Sequence, residues 1–516
     1  MSISNYVTPG VYVTQSGTSL TTVANNNLNI AIVADQPTQG SSTDTFYNVV
    51  SASGITVGQL TTPMVNTTYN GTYTAFSGFT VTWASGTTIS GITTTSGTTA
   101  TLGVNFNVST NGAFTSINTI GISGVPISGT VSVTYGHFWG AYGTYSNFNA
   151  LTSTVGPAIS GTTILNPATL AAQFAFQNGA STVSVIPVAR IAGSGTAQTS
   201  DWTRVFTASG STASDPTYLT NLPGVDVIVP LYGFISASGT VVASGSGTVV
   251  SGINSYLASQ QNYGVLQRAF VGADGTSNQI TSSGLQLLAS GFNNARVSLS
   301  YPSVINYNPG FNATTGLSTA SFNIPGYYVA AALAGLFTGQ PSVATPITNK
   351  IVNGFNAIPN QISDIDAATN YLPYGVTVIR QKRDGNFWVY QGLTTVSNPT
   401  WVTQEISLSA IGDALAKQVK SDLVNSQLVG GPLTNVTSAA VLGTVQATLT
   451  NQVSKGLIQA YQNLSLALNP ATPTTVNITF QYAPTYPINY IQVTMSLNTQ
   501  TGAVVTQNAQ SNFVVY

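Results

Sequence analysis

Between residues 156 and 370, strand-like runs alternate with helix-like ones, and no other pattern limits the fold as tightly. The runs Val183–Val188, Val225–Val229, Arg268–Gly272 and Arg296–Tyr301 are short and largely apolar. Helical patterns stand between them at Pro167–Gln177, Ile253–Gln261 and Ile280–Phe292. Strands joined through helices run parallel, because an antiparallel pair needs only a tight turn. An earlier run, residues 27–35, has the same character, and its Ile30–Val33 stretch is expected to join the same sheet.

A long excursion separates that early strand from the others. Residues 46–155 consist largely of Gly, Thr, Ser, Val and aromatic residues. Within them Phe79–Trp83 and Val131–Tyr135 alternate as half-buried strands do, between Ser-Gly turns. The expectation is a multidomain α/β and β protein. Its parallel-sheet α/β core is made of 26–45 and 156–370, with an all-β domain, 46–155, inserted in the first crossover. A third region, 371–500, reads as α+β. Strands are predicted at Val376–Arg380 and Asn386–Gln391, helices at about 406–426 and 436–466, and strands at Val476–Tyr482 and Tyr490–Leu497.

Composition enters where the surface is concerned. Only 4% of the 516 residues are charged, the net charge is −1, and no charged residue occurs between Asp44 and Arg190. An ordinary soluble domain carries about 25% charged residues. With 42% hydrophobic residues the chain is not of the disordered class, which is charge-rich and apolar-poor. A surface so short of charge gives little colloidal repulsion, which suits a chain packed against copies of itself.

Several classes recede on the same grounds. Lys and Arg are too sparse for a phosphate-binding patch, so direct nucleic-acid binding is not expected. The longest helix-like apolar run, Tyr327 to Phe337, falls short of the roughly 20 residues that span a bilayer, so membrane insertion is not expected. Cysteine is absent, and Met1–Tyr6 lacks the basic and apolar parts of a signal peptide. Synthesis in a cytoplasm is the expectation.

The chain ends stand apart. The N-terminal arm, 1–25, contains Tyr6–Thr14, in which Tyr6, Val7, Val11, Tyr12 and Val13 favour a strand. The C-terminal arm, 501–516, ends in Asn512, Phe513, Val514, Val515 and Tyr516. Neither strand-prone segment carries a charge, and uncharged β-prone ends suit pairing with a sheet edge of another molecule.

Candidate chemical groups are few. His137 is the single histidine and reads as structural. Asp364 and Asp366 lack neighbouring carboxylates to complete a metal site and read as a turn or helix start. Glu405, the single glutamate, stands before a helix, where the helix dipole favours it. Lys382, Arg383 and Asp384, the densest charged run, read either as a solvated turn with Gly385 or as a contact to another subunit. No Gly-x4-Gly-Lys-Ser/Thr loop occurs, and neither a cofactor nor enzymatic activity is expected.

Three passages resemble one family. Thr8-Pro-Gly-Val-Tyr-Val13 resembles the opening of sheath proteins of contractile phage tails and related injection machines. Phe174-Ala-Phe-Gln-Asn178-Gly179-Ala180 followed by Val185-Ile-Pro-Val188 is similar to their helix-to-strand passage, with Ala180 where a second Gly is common. Trp388-Val-Tyr-Gln391-Gly392-Leu-Thr394-Thr395 is similar to a third, with Gln391 where an Arg is common. The resemblance implies a subunit that stacks in rings, typically hexameric, around an inner tail tube. It also implies arms lent to neighbours' C-terminal sheets and contraction from a metastable extended state. Its implied partners are neighbouring sheath copies, the tube, and baseplate and tail terminator proteins. Its implied location is a virion tail assembled in the host cytoplasm. An extracellular surface-layer or adhesion protein is the alternative that composition leaves open.

Overall fold

The computed structural model describes residues 28–35, the strands between 39 and 138 by their backbone, and 143–488 apart from short segments, the longest being 208–218 and 236–247. The arm residues Tyr6–Val13 and Asn512–Tyr516, and the expected strand Tyr490–Leu497, lie outside the described residues.

Nine strands form the central sheet: β1 (Asn29–Ala34), β2 (Gly143–Tyr145), β3 (Thr182–Pro187), β4 (Val227–Pro230), β5 (Arg268–Gly272), β6 (Val297–Tyr301), β7 (Ile351–Val352), β8 (Val376–Gln381) and β9 (Phe387–Val389). Their order is β2-β3-β1-β4-β5-β6-β8-β9-β7. The six from β3 to β8 run parallel, and β2, β9 and β7 close the ends antiparallel. As expected, the early strand pairs with two later ones, Ile30 opposite both Val183 and Val227.

Burial on both faces explains the near-continuous apolar strands: β4, β5 and β6 are buried at every residue. The helices include α1 (Pro167–Gln177), α2 (Thr199–Phe206), α3 (Val249–Asn262), α4 (Ser282–Phe292) and α5 (Tyr327–Thr338). In α5 every residue but Tyr327 is buried, so it is a core helix without a wet face. Its fit to α1 depends on glycine. A Cβ on Gly335 would stand 2.2 Å from the Ala175 carbonyl oxygen.

Strands between 39 and 138 pair only with one another among the described residues, in a six-stranded antiparallel sheet and a three-stranded one. Thr80–Trp83 lies antiparallel to Ile127–Phe138, with Trp83 opposite Val131. His137 belongs to the longer of these strands.

Two expectations about the third region need correction. Val376–Gln381 and Phe387–Val389 do not start a separate sheet, because β8 pairs in parallel with β6 and so extends the core. The predicted boundary near 371 therefore falls inside one sheet. The helix expected over 436–466 stops at Ser454. Gly456, at φ +72, ends it, and the Leu457 amide donates to the Gln452 carbonyl with the Leu457 side chain buried. From Ile458 to Leu468 the chain is a strand.

Candidate assembly surface

Three elements form the carboxyl-terminal part of the described chain. Helix α6 (Ile406–Asn425) is followed by α7 (Asn435–Ser454) and by a two-stranded antiparallel ribbon of β10 (Ile458–Leu468) and β11 (Val476–Pro484). The ribbon packs on α7 and α6. Tyr461 hydrogen-bonds to Thr450 on α7, and the Tyr482 hydroxyl lies against Gly412 on α6.

The ribbon is two-sided. Tyr461, Leu464, Ile478, Phe480 and Tyr482 form its apolar side and pack against the core. Its other side is polar and neutral: Gln462 and Asn463 both donate to Gln481, and Ser465 pairs with Thr479. Both outer edges lack a strand partner among the described residues. Proteins blunt such edges with charge, and here none is present, for no charged residue follows Lys455. The two edges differ. Both irregularities in pairing place the extra residue on β10, the second of them at Asn463 with its positive φ, while β11 runs unbroken. An isolated two-stranded ribbon is marginal in water; packing on α7 and α6 supports this one and leaves its edges open to a further strand.

Around α6 the described charges are paired within the chain. Asp413 on α6 binds Arg268 at 2.6 Å and Arg296 at 2.8 Å. Arg268 also donates to Ser409, and Ser409 donates to the Ala295 carbonyl. One turn further along α6, Lys417 binds Asp226 at 2.7 Å, and Asp226 accepts the Asn29 amide. Burial alone would raise the Asp413 carboxyl. The charges of Arg268 and Arg296 outweigh it, and the carboxyl lies below its ordinary value. Glu405 is buried just before α6 and accepts hydrogen bonds from Thr348 and Ser407, in keeping with a structural role at the helix start.

Lys382, Arg383 and Asp384 form the tip of the β8–β9 hairpin, where Gly385 has φ +82. Lys382 stacks its ammonium 3.8 Å over Trp388, Asp384 accepts from Asn386, and Arg383 is exposed. Hydrogen bonds from Asn386 hold the Asp384 carboxyl below its ordinary value. The tip is a solvated turn that also offers an open surface lined by Asp364, Arg380, Lys382, Arg383 and Asp384. Asp364 opens a one-turn helix capped by Ser363 and pairs with Arg380. Among the described residues no three His, Cys, Asp or Glu side chains cluster as metal ligands. None of their helices is long and apolar enough to cross a membrane.

The passages singled out in the sequence are structural staples. Asn178 donates to the carbonyls of Phe174 and Asn353 and accepts the Asn353 amide, while Gly179, at φ +107, packs on Gly339. Thr394 donates to the Thr403 carbonyl, and Thr395 joins Asn294 and Val297. Gly392 donates to Thr348. These contacts hold α1 to α5 and β6 to the strap after β9.

No protein-family model matches the chain. The tail sheath protein of Mycobacterium phage Bxz1 is 26% identical over 266 residues, covering 51% of this chain and 44% of that one. The chain resembles a tail sheath protein. It spans less than half the length of this sheath relative. Similar solved structures include the contracted helical sheath of the anti-feeding prophage (16% identity, TM-score 0.48, 70% of this chain and 88% of that one). Another is the contracted sheath complex of an extracellular contractile injection system (11% identity, TM-score 0.46, 69% and 87%). A third is a sheath tail protein of Listeria innocua (12% identity, TM-score 0.45, 67% and 90%).

The ionic contacts of α6 escaped sequence reading, since nothing local marks Arg268, Arg296 and Asp413 as partners across more than a hundred residues.

Proposed function

We propose that the chain is the structural subunit of a contractile tail sheath and that copies join by lending strands. The single observation that carries this is the β10–β11 ribbon, uncharged and unpaired on both edges among the described residues. Tyr6–Thr14 of one neighbour and Asn512–Tyr516 of another fill those edges, the unbroken edge of β11 being the better acceptor. Main-chain ladder bonds need no ionic partner, which fits a chain with so little charge. Heterologous contacts between identical copies generate an open helix of stacked rings.

In this reading the rings surround an inner tail tube, with a baseplate protein below and a terminator above. The sheath is assembled extended, behind a kinetic barrier, and shortens when triggered, driving the tube through the host envelope. Energy comes from the difference between two assembled states. The Lys382–Asp384 tip is a further contact to a neighbour or to the tube. The test is electron microscopy of purified protein with and without residues 512–516. Full-length protein forms hollow striated tubes, and the truncated chain stays a folded monomer. Planar arrays from the full-length chain would favour a surface-layer protein instead, and normal tubes from the truncated chain would remove the C-terminal arm from the account.

A further inference from the structure

The ribbon reaches the core sheet by way of α6, so how α6 is seated decides whether a pull on the ribbon moves the core. The seat is ordered by charge. Ser409, Asp413 and Lys417 lie four residues apart and share one face of α6. Opposite them stand three residues at the amino ends of three adjacent parallel strands. Asp226 precedes β4, Arg268 begins β5 and Arg296 precedes β6. Asp413 meets the two arginines and Lys417 meets the aspartate.

Apolar contacts alone resist sliding weakly, because Ile411 and Leu415 on α6 are themselves one turn apart. One element can ratchet past a helix by a full turn, about 5.4 Å, in known switching transitions. Here the signs alternate. A slip of one turn in one direction sets Lys417 against Arg268 and Arg296. A slip in the other sets Asp413 against Asp226. Either places like charges together in a half-buried joint, with Arg268 only 5% exposed.

We infer that this alternation is a register lock, which fixes α6 against the sheet and makes the joint between ribbon and core rigid. The lock is a property of the single chain. Its mechanical use, passing a neighbour's pull to the core, rests on the strand-lending reading above.

The chain has no cysteine, so an engineered pair reports the register without interference. Ala295→Cys with Ser409→Cys puts thiols on the two residues that the Ser409 hydroxyl joins through the Ala295 carbonyl at 2.7 Å. With native charges a short thiol-bridging reagent links them in high yield. Adding Lys417→Asp lowers the yield several-fold together with Tm, because the native register then opposes two carboxylates while a one-turn slip pairs the new one with Arg268 and Arg296. Should Lys417→Asp fail to fold, Asp413→Asn with Lys417→Met removes the code without repulsion, and its yield also falls. Unchanged yield in the neutral or the reversed variant overturns the lock. Tube formation by the cysteine-free chain is scored separately, so failure of the strand-lending reading leaves the crosslink result standing.

Discussion

Gly335 and Gly443 both sit inside helices, and alanine at the two positions should act in opposite directions. Gly→Ala in a helix interior gains about 1 kcal/mol of propensity. At Gly443, on the exposed face of α7, a Cβ meets nothing within 4 Å, so the gain stands alone. At Gly335 the Cβ would lie 2.2 Å from the Ala175 oxygen, 2.7 Å from its Cα and 2.8 Å from its carbonyl carbon. All three are backbone atoms of α1, which no rotamer change can move. Ordinary contact begins near 3.4 Å, so α1 and α5 must part by about 1 Å in a close-packed core. Overpacking of this kind costs about 1–3 kcal/mol, occasionally more. With three backbone atoms inside 3 Å the upper end of that range applies, so subtracting the propensity gain leaves Gly335→Ala destabilised by about 2 kcal/mol, and Gly443→Ala stabilised by up to about 1 kcal/mol. Urea unfolding of unpolymerised protein, followed by fluorescence and circular dichroism, measures both. A Gly335→Ala variant as stable as the parent would refute the claim that this crossing is set by backbone contact.

Other outcomes follow from the charges. Asp413 has a carboxyl below its ordinary value, faced by Arg268, Arg296 and the Tyr482 phenol. A depressed carboxyl stabilises the fold above the ordinary carboxylate range, and that contribution is lost as pH falls through its folded value. Asp413→Asn should therefore lower stability by about 3 kcal/mol near neutral pH, since one partner of a mostly buried pair is removed, and should flatten the acid limb of the stability curve. An acid limb identical to the parent's would show that the pair is not involved. Assembled tubes should change little in stability between low and high salt, because only 4% of the residues are charged; dissociation by moderate NaCl, seen by sedimentation, contradicts this.

The parallel sheet could be read from its alternating strands and helices because burial on both faces leaves a continuous apolar run in each strand. The chain's return at Val376 was misassigned because Val376–Arg380 has the same composition whether it starts a sheet or extends one. Only pairing to Leu299–Tyr301 distinguishes the two. The overlong helix prediction followed Val441, Val445, Leu449, Val453 and Leu457 past a stop signal at Gly456. Beyond it Leu464, Leu466 and Leu468 already alternate as a strand does. The pairing of Asp413 with Arg268 and Arg296 is long-range, and charge scarcity alone hinted that each remaining charge has an assigned place.

Amide hydrogen exchange on monomer and assembled tubes tests strand lending most directly. Amides of Val476–Pro484 that face outward from the ribbon should exchange fast in the monomer and become protected in tubes, together with those of Asn512–Tyr516. Tubes whose ribbon amides exchange as quickly as the monomer's would mean that copies are joined by some other surface.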